Sequence, residues 1–131
     1  ILQNIHRYFL YLALIFIFVL AWDAWKGMWF IDHVDGVTRE TWGIGVGTLV
    51  LSMNVIFLGG YTMGCHSLRH LVGGRLNMLS KHPVRKKSWE CVTCLNNRHM
   101  LWAWMSLVWV GFTDFYVRMC CAGHWTDWRI F

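Results

Sequence analysis

A chain of 131 residues that is 56% hydrophobic and 17% aromatic, with ten Trp and one Pro, has too little interior volume to hide its apolar side chains from water. That composition excludes a compact water-soluble domain and hands most of the apolar surface to lipid. The formal charge of +5 is concentrated in one segment, so it reads as a topology signal and not as a nucleic-acid footprint.

In chain order, the first apolar stretch, residues 8–22, reaches spanning length once Trp25, Met28 and Trp29 complete it, which predicts a helix over about residues 6–30. No small-residue cleavage site follows it, only Asp23, Trp25 and Lys26, so it reads as a retained span and not a cleaved signal. Residues 31–41, with Asp32, Asp35, Arg39 and Glu40, read as a short loop. The stretch 42–65 is long enough by itself to cross a hydrocarbon core of about 30 Å, and a second helix is predicted over about 42–74. Its glycines, Gly43, Gly45, Gly47, Gly59, Gly60 and Gly64, allow close helix approach; Gly73 and Gly74 end it. Residues 75–96, including His82 and Pro83, are expected to be a basic connecting loop, and a third helix follows over about 97–120, with Asp114 and Arg118 spaced to pair. The fold class is therefore an all-α integral membrane protein with three transmembrane helices in one domain, residues 1–131.

Between His66 and His99 lie Arg69, Arg75, Lys81, Arg85, Lys86, Lys87 and Arg98 against one acid, Glu90. By the positive-inside rule this loop is cytoplasmic, which puts the N-terminus inside and the C-terminus outside. The same basic patch suits anionic membrane lipid or an acidic protein surface. Trp22, Trp25, Trp29, Trp42, Trp89, Trp102, Trp125 and Trp128 fall near predicted helix ends, where an apolar ring with a polar N–H anchors to the interface.

The chemistry-bearing residues cluster around the basic loop. His66 and His70 are four apart and project from one helix face, a chelating spacing. Cys91 and Cys94 form a C-x-x-C pair ahead of the third helix, His99 starts that helix, and Cys65 neighbours His66. Two thiolates and two imidazoles make up the ligand set of a Rieske-type [2Fe–2S] centre, and equally of a structural zinc, so spacing does not select the metal. A disulfide between Cys91 and Cys94 is disfavoured on a reducing face.

At residues 65–74 the run Cys-His-Ser-Leu-Arg-His-Leu-Val-Gly-Gly resembles the membrane-anchor (cytochrome b) subunits of succinate dehydrogenase and fumarate reductase, respiratory complex II, with Arg69, His70 and Leu71 matching their Arg-His-Leu signature. The later runs Asn-Arg-His-Met-Leu-Trp-Ala-Trp at 97–104 and Thr-Asp-Phe-Tyr-Val-Arg at 113–118 are similar to the actinobacterial form, which carries a membrane-embedded Rieske-type cluster in place of haem. In haem-bearing members a ligand His stands six positions before the signature Arg; here that position is Met63, and the usual Asp after the signature is missing.

The resemblance implies an anchor in the cell inner (plasma) membrane that joins the iron–sulfur and flavoprotein subunits of complex II. Electrons would pass through a metal centre held among Cys65, His66, His70, Cys91, Cys94 and His99 to a membrane quinone. It further implies that Ser67, Arg69 and Arg98 polarise the quinone oxygens and that Trp102 walls its ring. The alternative cofactor is haem b, with His70 and either His99 or His6 as axial ligands; a zinc-stapled scaffold without a redox role is the other. No flavin or nucleotide-binding motif is present, so no residue of this chain is expected to catalyse succinate oxidation, and no nucleic acid is expected as a partner.

Overall fold

The computed structural model describes residues 2–34, 36–74 and 82–130. Their elements run α1 (Leu2–Lys26), β1 (Trp29–Val34), β2 (Val37–Trp42), α2 (Val46–Met63), α3 (His66–Gly73), α4 (Pro83–Asn97) and α5 (His99–Cys121). Three of the helices are long and apolar enough to cross a membrane: Ile5–Lys26, Val46–Met63 and His99–Cys121. α2 is the central rod, packed against α1 on one side and α5 on the other.

The bundle is built with small polar residues inside and large apolar residues outside. Thr48, Asn54, Thr62, Ser106 and Thr113 are buried, whereas Phe16, Phe18, Trp104, Leu107 and Val108 are exposed. Lipid solvates the large side chains as well as a core would, so helices associate through small residues that let backbones approach. The hydroxyls of Ser106 and Thr113 return to their own helix, to the Ala103 carbonyl at 3.0 Å and the Trp109 carbonyl at 2.8 Å, while that of Thr48 donates to the Gly27 carbonyl at 2.7 Å. At Gly60 the approach is closest: a Cβ there would lie 2.5 Å from Cε3 of Trp102, whose ring lies flush against α2. The Trp109 indole N–H donates to the Val50 carbonyl at 3.0 Å, tying α5 to α2 a second time.

Three expectations from the sequence require correction. The first helix stops at Lys26, and residues expected as its end and as a loop instead form an antiparallel hairpin, with Trp29 opposite Trp42 and Val34 opposite Val37. Gly36 closes its two-residue turn with φ of 76°, a left-handed conformation that side chains resist. The second helix is not continuous over 42–74: it begins at Val46 and breaks after Met63. The basic segment is not a loop throughout, because Pro83–Asn97 is helical, with Pro83 where a missing N–H costs nothing. Residues 75–81 of that expected loop, with Arg75 and Lys81, lie outside the described residues.

The C-terminal tail has defined structure as well. The Val46 N–H donates to the Trp128 carbonyl at 2.9 Å, and the Ile130 N–H to the Ile44 carbonyl at 2.8 Å. Asp127 Oδ1 accepts from the Gly47 N–H at 2.7 Å and from the Tyr116 hydroxyl at 3.0 Å. Arg129 reaches Asp32 at 3.1 Å, which fastens the hairpin to the same strap. The expected Asp114–Arg118 pair forms at 2.9 Å on an exposed face of α5.

Candidate functional site

The break in the second helix makes the site. Gly64 closes α2 by donating its N–H to the Gly60 carbonyl at 2.9 Å, and Cys65 is extended, with φ −66° and ψ 135°, before α3 restarts at His66. An interrupted helix leaves carbonyls without partners, and irregular backbone at membrane depth survives only where protein satisfies it. Here Asn96, near the end of α4, donates its side-chain amide to the Gly64 carbonyl at 2.7 Å. α4 crosses so closely that a Cβ on Gly64 would lie 3.1 Å from the Leu95 carbonyl oxygen. Cys65 is thereby turned inward and is only 6% exposed.

Around this thiol lies a small cavity of about 130 Å³, lined by His6, Phe9, Leu10 and Ala13 of α1, Tyr61 and Thr62 of α2, Cys65, and His99 of α5. His6 Nε2 and Cys65 Sγ share a hydrogen bond of 3.0 Å. The His99 ring is stacked on Tyr61, centroids 4.7 Å apart and planes 19° from parallel, which fixes its orientation. Its Nδ1 is buried and has no hydrogen-bond partner. A buried ring nitrogen left without a partner costs free energy.

The six residues expected as metal ligands are not gathered into one set. Cys65 and His99 line the cavity. His66 and His70 stand together on the exposed side of α3, with Nε2 atoms 3.0 Å apart and rings edge to face at 4.4 Å. Cys91 and Cys94 lie mid-helix on α4, both exposed and unpaired as thiols. Among the described residues, no group of three or more His, Cys, Asp and Glu side chains converges as metal ligands. His6 was expected only as an axial ligand of a haem alternative, yet it is the partner of Cys65 from 59 positions away. No local motif could have revealed that contact, since it exists only once α1 packs beside the helix break.

Of the residues expected at a quinone, Ser67 is buried at 4% exposure on the first turn of α3. Arg69 lays its guanidinium over the Trp89 ring at 4.9 Å, joining α3 to α4 in a cation–π contact. Arg98 is exposed at the junction of α4 and α5. Trp102 is packed against Gly60 and Phe57. None of the four is among the residues that line the cavity, whereas Tyr61 and His99 are.

Three apolar rods with large side chains exposed along them and a satisfied helix break define a multi-pass membrane protein with a small, mostly apolar cavity at one end of its bundle. The family described as actinobacterial succinate dehydrogenase subunit SdhC matches residues 1–123, and the chain belongs to that family. Among solved structures it is similar to a chain of the Mycobacterium smegmatis Sdh1 complex in the apo form, with 43% identity and a TM-score of 0.83 over 99% of this chain. The chain spans 46% of that longer one. Among curated proteins, none shows significant similarity.

Proposed function

We propose that this SdhC-family chain anchors the iron–sulfur and flavoprotein subunits of a succinate dehydrogenase in the plasma membrane and completes their electron path to a membrane quinone beside the His6–Cys65–His99 cavity. The observation that carries the reading is the buried, unpartnered Nδ1 of His99 on a cavity that also holds a buried thiol and a second imidazole. The excess of basic residues on α3 and α4 supports placing this end of the bundle on the cytoplasmic side, where a soluble electron donor would dock.

His6, His99 and Cys65 line the cavity and would supply three of the four ligands of a Rieske-type [2Fe–2S] centre, although the three do not converge as a ready metal site. The second thiolate is not among the residues lining the cavity. When bound, such a centre supplies one-electron transfer. A porphyrin does not fit the cavity, which is far too small, and His70, the axial ligand of that alternative, stands beside His66 on an exposed face of α3 and not among the cavity's lining with His6 and His99. A zinc scaffold would draw on the same three donors and would leave the complex without quinone reduction.

This chain's own residues supply the acid–base part. Quinone reduction consumes two protons along with two electrons, so the site needs groups that donate to the ring oxygens. A neutral imidazole carries one N–H donor and one acceptor nitrogen, so His99 offers a hydrogen bond to a quinone oxygen. Tyr61 restricts the ring to one plane, which removes the entropy cost of orienting it. Phe9, Leu10 and Ala13 keep the cavity wall apolar, which suits an isoprenoid-tailed headgroup and strengthens the polar contacts it makes.

The test is a split of two activities in the purified complex. His99→Phe keeps a ring against Tyr61 but removes both nitrogens; succinate oxidation by a soluble artificial acceptor should persist while quinone reduction falls by about two orders of magnitude, the loss typical of removing a positioned acid–base group. Unchanged quinone reduction would refute the placement.

A further inference from the structure

At the other end of α1, two surfaces meet over a second cavity. The last turns of α1 carry Trp22, Trp25 and Lys26 at positions i, i+3 and i+4, which share one helix face. On the hairpin, strand alternation puts Trp29 and Ile31 on one face together with their cross-strand partners Trp42 and Glu40. Trp22, Trp25, Lys26, Trp29, Ile31 and Glu40 line a cavity of about 440 Å³ between these surfaces. That is the size of a small-molecule site, about 300–1,000 Å³.

Its lining differs from an interfacial Trp belt in two respects. The three indoles converge instead of standing singly, and each is half exposed, Trp22 at 60%, Trp25 at 53% and Trp29 at 45%. Two opposite charges share the wall without forming an ion pair with each other, while the Lys26 ammonium lies 5.9 Å from the Trp22 ring centroid. An occupant that is only anionic would leave Glu40 unmatched, and one that is only cationic would leave Lys26 unmatched. A zwitterion answers both.

We infer that this cavity binds the headgroup of phosphatidylethanolamine from the surrounding bilayer. The phosphate meets Lys26, and the primary ammonium donates to the Glu40 carboxylate with the indole faces beside it. A quaternary ammonium has no N–H to donate, and a glycerol headgroup has no cation, so both match Glu40 less well. The acyl chains have a place on the same helix face: Val19, Phe18 and Ile15, three, four and seven positions before Trp22, are 51%, 75% and 60% exposed. The proposal is independent of the redox reading, because it concerns the opposite end of α1.

Native mass spectrometry of the purified, delipidated complex, titrated separately with phosphatidylethanolamine and phosphatidylglycerol of matched acyl chains, tests it. One phosphatidylethanolamine per copy of this chain is expected, retained about tenfold more tightly than phosphatidylglycerol, the ratio one charge-assisted hydrogen bond provides. Glu40→Gln should abolish that preference, while Asp23→Asn, which removes an acid that does not line the cavity, should leave it intact; the same spectra report whether each variant assembles. Equal retention of the two lipids, retention of neither, or an equal effect of both substitutions would overturn the assignment.

Discussion

Asp127 and Gly47 form a contact whose strength can be probed from both sides. The carboxylate accepts the Gly47 N–H at 2.7 Å, in the first turn of α2, and the hydroxyl of Tyr116, a residue only 8% exposed. Asp127→Ala removes a capping acceptor, a loss of about 1 kcal/mol, and leaves the Tyr116 hydroxyl without its partner, about 1 kcal/mol more at this partly wet bundle end. Opening of the strap should therefore become easier by about 2 kcal/mol, a factor of about 30. Gly47→Ala attacks the same contact by crowding, since its Cβ would sit 2.7 Å from Asp127 Oδ2. In the native background that substitution should cost about 1–2 kcal/mol through displacement of the carboxylate. In the Asp127→Ala background the three atoms nearest that Cβ are gone, and Ala should stabilise the helix over Gly by up to about 1 kcal/mol. The sign of the Gly47→Ala effect thus reverses with the background. Hydrogen exchange at the Ile130 amide, which closes the strap on the Ile44 carbonyl, measures all four variants of the cycle in the purified complex. Additive effects, with Gly47→Ala equally harmful in both backgrounds, would refute the reasoning.

Two further substitutions address the helix break and the closest packing contact. Asn96→Leu should leave the Gly64 carbonyl without a donor and destabilise the α2–α3 junction by about 1–3 kcal/mol, seen as faster exchange of the Leu68 and Arg69 amides that bond to Cys65, whereas Asn96→Gln should recover part of the loss. Gly60→Ala should cost about 1–3 kcal/mol by pushing the Trp102 ring off α2, read as a lower unfolding temperature and altered indole fluorescence; Gly59→Ala, where a Cβ meets nothing within 4 Å, should be tolerated.

The three spans were legible in the sequence because lipid exposure leaves long apolar stretches that need no partner to be recognised, and the ends of the third helix were placed within two residues. The hairpin was also written there, as Asp35-Gly36 between two β-branched and aromatic runs, but Asp32, Asp35, Arg39 and Glu40 drew attention as loop charges and hid the strand alternation. The break at Gly64 was hidden for a different reason. Cys65 and His66 continue a helical pattern, and only the Asn96 amide arriving from α4 satisfies the interrupted backbone. At the candidate site, spacing did not reveal which side chains come together. His66 and His70 do stand together, as the interval of four dictates, yet on an exposed face, while Cys65 pairs with His6 across 59 positions through a contact that tertiary packing alone creates. Cys91 and Cys94 were read as a loop motif, but the segment is a helix that leaves both thiols exposed.

The most direct test of the account asks whether the cavity of His6, Cys65 and His99 holds the electron carrier that feeds the quinone. Iron and acid-labile sulfide should be counted in the purified complex alongside low-temperature paramagnetic resonance of its succinate-reduced state, for the native chain and for Cys65→Ser, with Cys91→Ser as the control on an exposed thiol. A Rieske-type signal that disappears in Cys65→Ser and survives in Cys91→Ser is the expected result. The same signal at full strength in Cys65→Ser would contradict it.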